Sequence, residues 1–255
     1  MVSASGAIGT SRGVLGTFGR AWAVELRKVA ATPSLVVGLA IGIAATPLAA
    51  LVVADRSDAA ESMTAVRLAV SAAMIPVVAF ALWGAYATTS EYERGAIVGS
   101  LLAVPRRSSF YTAKLAAVAT VVGVAMTLSA AVAVVVVGLA APPPGLAVGP
   151  WWAVPVIGLI VGAVAAVGAA AGFILRGSIT TSGTLLVALL GPSVLGSALG
   201  GAQRWFTGAA PTALIAHAAG SDRPELGAAA GSIVFTVVVV VVGVVGWRVF
   251  ARADH

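Results

Sequence analysis

From Ser34 to Ala54 the chain runs without one ionisable side chain, and apolar blocks of this kind recur almost to its end. At a rise of about 1.5 Å per residue, about 20 such residues cross a hydrocarbon core about 30 Å thick. Residues 68–88, 111–140, 151–175, 183–200 and 228–250 form five further blocks. Valine runs such as Val237 to Val242 favour strands locally, yet long blocks without period-two alternation do not fit a barrel. The expectation is an all-α, polytopic membrane protein with six transmembrane helices.

Local signals support these limits. Pro33 stands just ahead of the first block, where a helix's first turn tolerates proline. Pro142-Pro143-Pro144-Gly145 ends the third, because proline removes a backbone donor and clashes with the preceding turn. Trp151 and Trp152 open the fourth like an interfacial aromatic belt. The fifth is short and contains Pro192, which makes it the weakest of the six. No apolar run occurs in the first twenty residues, and a block starting at Ser34 comes too late for a secretory signal.

Composition agrees. Charged residues make up 9% of the chain and apolar ones 60%, against about 25% charged in soluble domains. The blocks leave no stretch long enough for a separate soluble domain, so residues 1–255 read as one membrane domain. With no cysteine, disulfides, thiolate metal sites and a cysteine nucleophile are excluded. The net charge of +6 is explained by topology. With the amino terminus inside and six crossings, Arg12, Arg20, Arg27, Lys28, Arg94, Arg106, Arg107, Lys114, Arg176, Arg248 and Arg252 fall inside, eleven of the fifteen cations. Only Arg56, Arg67, Arg204 and Arg223 fall outside. That is the positive-inside bias, with both termini cytoplasmic. Nucleic acid is not an expected partner.

Three segments outside the blocks carry information. Residues 12–31 suggest a helix lying in the interface, with Leu15, Phe18, Trp22, Leu26 and Val29 on one stripe. Arg20, Arg27 and Lys28 lie opposite, towards anionic membrane lipid, and Glu25 belongs to the same segment. Residues 201–227 read as an external loop that re-enters the membrane where protein covers its backbone. Residues 89–104 read as a short cytoplasmic helix on which Ile97, Val98, Leu101 and Leu102 share a face. Glu91, Glu93 and Arg94 precede it, placing negative charge at its start. Pro105 ends it, and Arg106, Arg107 and Lys114 return the chain to the bilayer at phosphate depth.

The order Ser90-Glu91, Gly95, Leu101-Leu102, Pro105-Arg106-Arg107, Lys114 resembles the loop after the second span in permease subunits of type-2 ABC transporters. Glu25-Leu26-Arg27-Lys28 before the first span, six spans, cytoplasmic termini and a long loop before the last span are similar to that family as well. The motif covers residues 88–114, the architecture nearly the whole chain. The resemblance implies the multi-pass permease of a bacterial plasma-membrane exporter for an apolar or amphipathic compound. It implies a second permease copy or paralogue, and a cytoplasmic ATPase subunit docked on the helix of Glu91 to Leu102. The chain has no Gly-x-x-x-x-Gly-Lys-Ser/Thr loop, so ATP and magnesium would sit on that partner.

Other chemistries are poorly served. No Asp, Glu, Lys, Arg or His stands in the interior of a block, where an ion-coupled carrier usually needs one. Ser182-Gly183 with His217 lacks the first glycine of an intramembrane serine protease motif, since Thr180 occupies it. Two histidines far apart, His217 and His255, offer no metal cluster. No catalytic, cofactor or metal residue is expected. A non-transporting anchor or immunity-type subunit is the alternative from another class. The pairs Gly38/Gly42, Gly158/Gly162 and Gly168/Gly172 suit close helix crossings, within the chain or between copies.

Overall fold

A computed structural model of the chain describes residues 6–56, 64–73, 76–93, 95–103, 106–140, 149–194, 214–215 and 228–253. Its helices are α1 (Gly6–Ala31), α2 (Pro33–Arg56), α3 (Ala65–Ala73), α4 (Pro76–Glu93), α5 (Ala96–Ala103), α6 (Arg107–Ala140), α7 (Ala153–Leu175), α8 (Ser178–Val194) and α9 (Ala228–Arg252). Among the described residues there is no strand. Four helices are long and apolar enough to cross a membrane: Pro33–Ala54, Arg107–Ala140, Ala153–Leu175 and Ala229–Arg252.

Two of the expected six blocks differ from that pattern. In the block at 68–88 the described residues form α3 and, from Pro76, α4, with residues 74–75 outside the described residues. The helix of the block at 183–200 begins earlier than expected, at Ser178, and its apolar stretch among the described residues is Ser178–Gly191, with residues 195–200 outside them. Of the predicted loop 201–227, only Leu214 and Ile215 are described; both are buried, Ile215 within the main core. His217 lies outside the described residues.

α7 is the centre of the bundle, packed chiefly on α6 and α4. Lipid tails are as apolar as leucine, so helices in a bilayer associate through close backbone approach and interhelical polar contacts. Glycine supplies that approach here. Gly168 lies against the carbonyl of Ala81, and Gly84 against that of Ala165, so α4 and α7 touch backbone to backbone. On the other side of α7, Gly158 and Gly162 meet Gly123 of α6. Gly38 and Gly42 of α2 make room for the rings of Trp83 and Phe80. The Trp83 indole N–H then donates to the Leu35 carbonyl at 2.8 Å, tying α4 to α2. All three glycine pairs therefore serve contacts within the chain.

The last helix is fastened at one end. Phe110, Tyr111, Phe173 and Phe250 form a buried aromatic cluster with Ile97, and Trp247 packs on it. The Tyr111 hydroxyl donates to the Gly243 carbonyl at 2.7 Å. Arg107 donates from Nη1 to the carbonyls of Ala251 and Ala253 at 3.1 and 2.7 Å. A helix leaves its last carbonyls without intrahelical partners, and a guanidinium there satisfies them. The carboxyl ends of α4, α7 and α9 thus gather around the start of α6.

Gly168→Ala places a methyl group on the Ala81 carbonyl, whereas Gly183→Ala on exposed α8 meets nothing within 4 Å. The first is expected to lower stability by about 1–3 kcal/mol, and the second to leave it unchanged. Thermal unfolding of the two variants in detergent checks the contrast.

Candidate functional site

At the end of the bundle where α9 is fastened, α1 crosses beside the spans. Its buried line is Ala21, Glu25 and Val29, spaced four apart, so they share one face. Phe18, Trp22 and Leu26 are half-buried beside that line, and Arg20 and Arg27 are exposed. Lys28 departs from the expected outward face and turns inward. α1 packs mainly on α6.

Glu25 and Lys28 of α1 meet Glu91 of α4 and Lys114 of α6. Lys114 Nζ lies 2.8 Å from Glu25 Oε2 and 2.5 Å from Glu91 Oε1. Lys28 Nζ lies 2.7 Å from Glu25 Oε1 and 3.2 Å from Glu91 Oε1. Ser100 of α5 joins the ring, accepting from Lys28 at 2.9 Å and lying 3.4 Å from Glu91 Oε2. Glu25, Glu91 and Lys114 are buried, and Lys28 is partly open to the surface over the Phe110 ring. Two cations and two anions balance.

Burying these charges costs several kcal/mol each, which short charge-assisted hydrogen bonds in a closed ring offset. Glu91 also sits in the last turn of α4, where the helix dipole disfavours a carboxylate. The two ammonium groups answer both costs. Three helices far apart in sequence are thereby bound to end at one point.

The other residues of the segment divide between core and surface. Glu93 belongs to the end of α4, and its carboxylate accepts from the N–H and hydroxyl of Ser178 at 3.1 and 2.5 Å. It therefore satisfies an open donor at the start of α8. Neither acid opens α5, whose first turn, from Ala96, carries no acidic residue. The turn between α4 and α5 needs Gly95, at φ 65°, whose N–H bonds the Tyr92 carbonyl at 3.1 Å. On α5, Ile97 is buried in the aromatic cluster while Val98 and Leu102 are 51% and 79% exposed. The face expected to be shared by four residues is split, because positions 98 and 102 lie about 100° and about 140° around the helix from Ile97. Arg106 is exposed and Arg107 caps α9. Arg94, Pro105 and the Leu101 side chain lie outside the described residues.

The sequence reasoning named all four charged residues of the ring but gave them separate tasks, and it missed Ser100. The available signal was Lys114, an isolated charge inside the long apolar helix α6. Such a residue needs a buried partner. Among the described residues no group of three or more His, Cys, Asp or Glu is arranged for a metal. The ring's chemistry is that of a clamp between helices.

Lys114→Met leaves two carboxylates facing one cation and is expected to cost about 3–5 kcal/mol. Adding Glu25→Gln restores neutrality, so the double variant should recover part of that loss. A double-mutant cycle from thermal unfolding in detergent decides it; simple additivity of the two losses would show that the pair is uncoupled.

No family model matches this chain, and no curated protein matches it.

Proposed function

We propose that the chain is the permease subunit of an ATP-driven type-2 ABC transporter, exporting an apolar or amphipathic compound. In this reading α2, α3 with α4, α6, α7, α8 and α9 make six passes, both termini are cytoplasmic, and two permease chains frame the path. ATP with magnesium is hydrolysed by a separate subunit docked on α5.

One observation carries the proposal. α5 is a short helix between spans with one side anchored and the other bare. Ile97 and Ser100 tie it to the aromatic cluster and the charged ring, while Val98 and Leu102 face outwards. Exposed apolar side chains on a short loop helix suit a protein partner. The order of motif residues from Glu91 to Lys114 supports the same assignment, and the inside bias of the cations supports a cytoplasmic position for α5. A non-transporting anchor has no need of an apolar docking face joined to the ends of three long helices.

The chain has no cysteine, so Leu102→Cys carries a single thiol. Co-expressed with the ATPase subunit that the proposal requires, this variant should cross-link to it from α5. Leu102→Glu should insert and fold normally, yet lose ATPase association and ligand-stimulated ATP turnover. Because the side chain is 79% exposed, a folding defect is not expected. Normal transport by Leu102→Glu would remove α5 as the docking element.

A further inference from the structure

Where α1 runs into α2, the protein forms a half-open cavity of ≈ 270 Å³. Lys28, Ser90, Glu91, Ser100 and Lys114 give it a polar lining, to which Val29, Leu35 and Ala87 add apolar surface. We propose that this cavity binds the headgroup of a phospholipid bearing a primary amine, an ethanolamine-type zwitterion. The inference needs only a bilayer and stands apart from the permease assignment.

Hydrogen-bonding capacity points to the ligand. An ammonium group has three N–H donors. Lys28 directs its own to Glu25, Glu91 and Ser100. Lys114 reaches only Glu25 and Glu91, so one donor has no protein acceptor among the described residues. The buried Ser90 hydroxyl likewise has no side-chain or backbone partner among them. On the acceptor side, Glu91 Oε2 has only the long 3.4 Å contact from Ser100. Two spare donors and one spare acceptor therefore line one small space. A phosphate oxygen answers Lys114 and Ser90, and a primary ammonium answers Glu91.

Charge and size narrow the class. The ring is neutral, so a headgroup with net negative charge leaves an unbalanced charge in a poorly solvated site, while a zwitterion does not. A quaternary choline has no N–H to give to Glu91. The volume falls just below the roughly 300 Å³ of the smallest whole-ligand pockets, enough for a headgroup with its acyl chains outside. Those chains have a track: α2 begins at Pro33 beside the cavity, and Val36 and Val37 on its first turns are exposed. The cavity stands where the first span starts, at headgroup depth.

Native mass spectrometry of the delipidated protein, offered phosphatidylethanolamine, phosphatidylcholine or phosphatidylglycerol, tests the site. One phosphatidylethanolamine should stay bound at energies that strip the other two. Ser90→Val should weaken it about tenfold, as for loss of one hydrogen bond to a charged group. Ala96→Phe, introduced at the exposed rim, should abolish retention without lowering the unfolding temperature, so the test does not depend on Ser90→Val folding. Equal retention of all three lipids, a preference for phosphatidylglycerol, or unchanged binding in both variants would overturn the proposal. Soluble glycerophosphoethanolamine binding as tightly as the lipid would overturn the membrane as its source.

Discussion

Lys114 enters the protein a few turns into a long apolar helix, and the arrangement around it follows from the need to neutralise that charge. One carboxylate would balance it, but the structure supplies Glu25 and Glu91 from two other helices and a second cation, Lys28, to keep the sum at zero. The ring is short-ranged and directional, whereas the surrounding valine and alanine contacts are neither. An apolar interface tolerates sliding by a fraction of a turn. A four-membered set of charge-assisted hydrogen bonds does not, because a displaced member becomes an unpaired buried charge. The register of α1 against α4 and α6 is therefore set at this point.

Above the ring, specificity comes from the opposite kind of residue. Gly84, Gly123, Gly158, Gly162 and Gly168 let three helices approach until backbones touch. In a bilayer this close packing replaces the hydrophobic driving force available in water. The two devices complement each other. Glycine seams hold α4, α6 and α7 side by side along their length, and the polar end, with Arg107 capping α9 and Glu93 satisfying α8, prevents them from shifting along their axes. The outer helices α2 and α9, least buried of the long ones, leave most of their apolar surface uncovered by the chain.

The helical class and the limits of α2, α6, α7 and α9 were legible from residue order, because charge-free length and proline position are local properties. What escaped was pairing. Glu91 and Glu93 stand before a short apolar helix and look like its acidic start, yet both close the preceding helix and find partners 23 and 85 residues away. Lys28 lies among exposed arginines on its own helix, and its contacts with Glu91 and Ser100 of other helices explain its inward turn. Small-residue spacing showed where helices could cross closely, but not whether the neighbour was the same chain. Such facts depend on which helix ends meet, and periodicity within one segment does not contain that information.

The way α5 is attached has a mechanical consequence under the proposed function. Its link to α4 passes through Gly95 at positive φ and is not a continuous helix. Ile97 and Ser100 instead hold α5 against the aromatic cluster and the charged ring, which belong to α1, α4, α6, α7 and α9 together. A push on Val98 and Leu102 is therefore received by the assembled base of the bundle more than by α4 alone. Splaying α4 from α6 at that base would strand Glu91 or Lys114 without its partner, at a cost of several kcal/mol. Tilting the base as one body breaks no ion pair. A force applied at α5 is thus steered towards rigid rocking, with the deformation taken up farther along the helices, where apolar contacts slide at little cost.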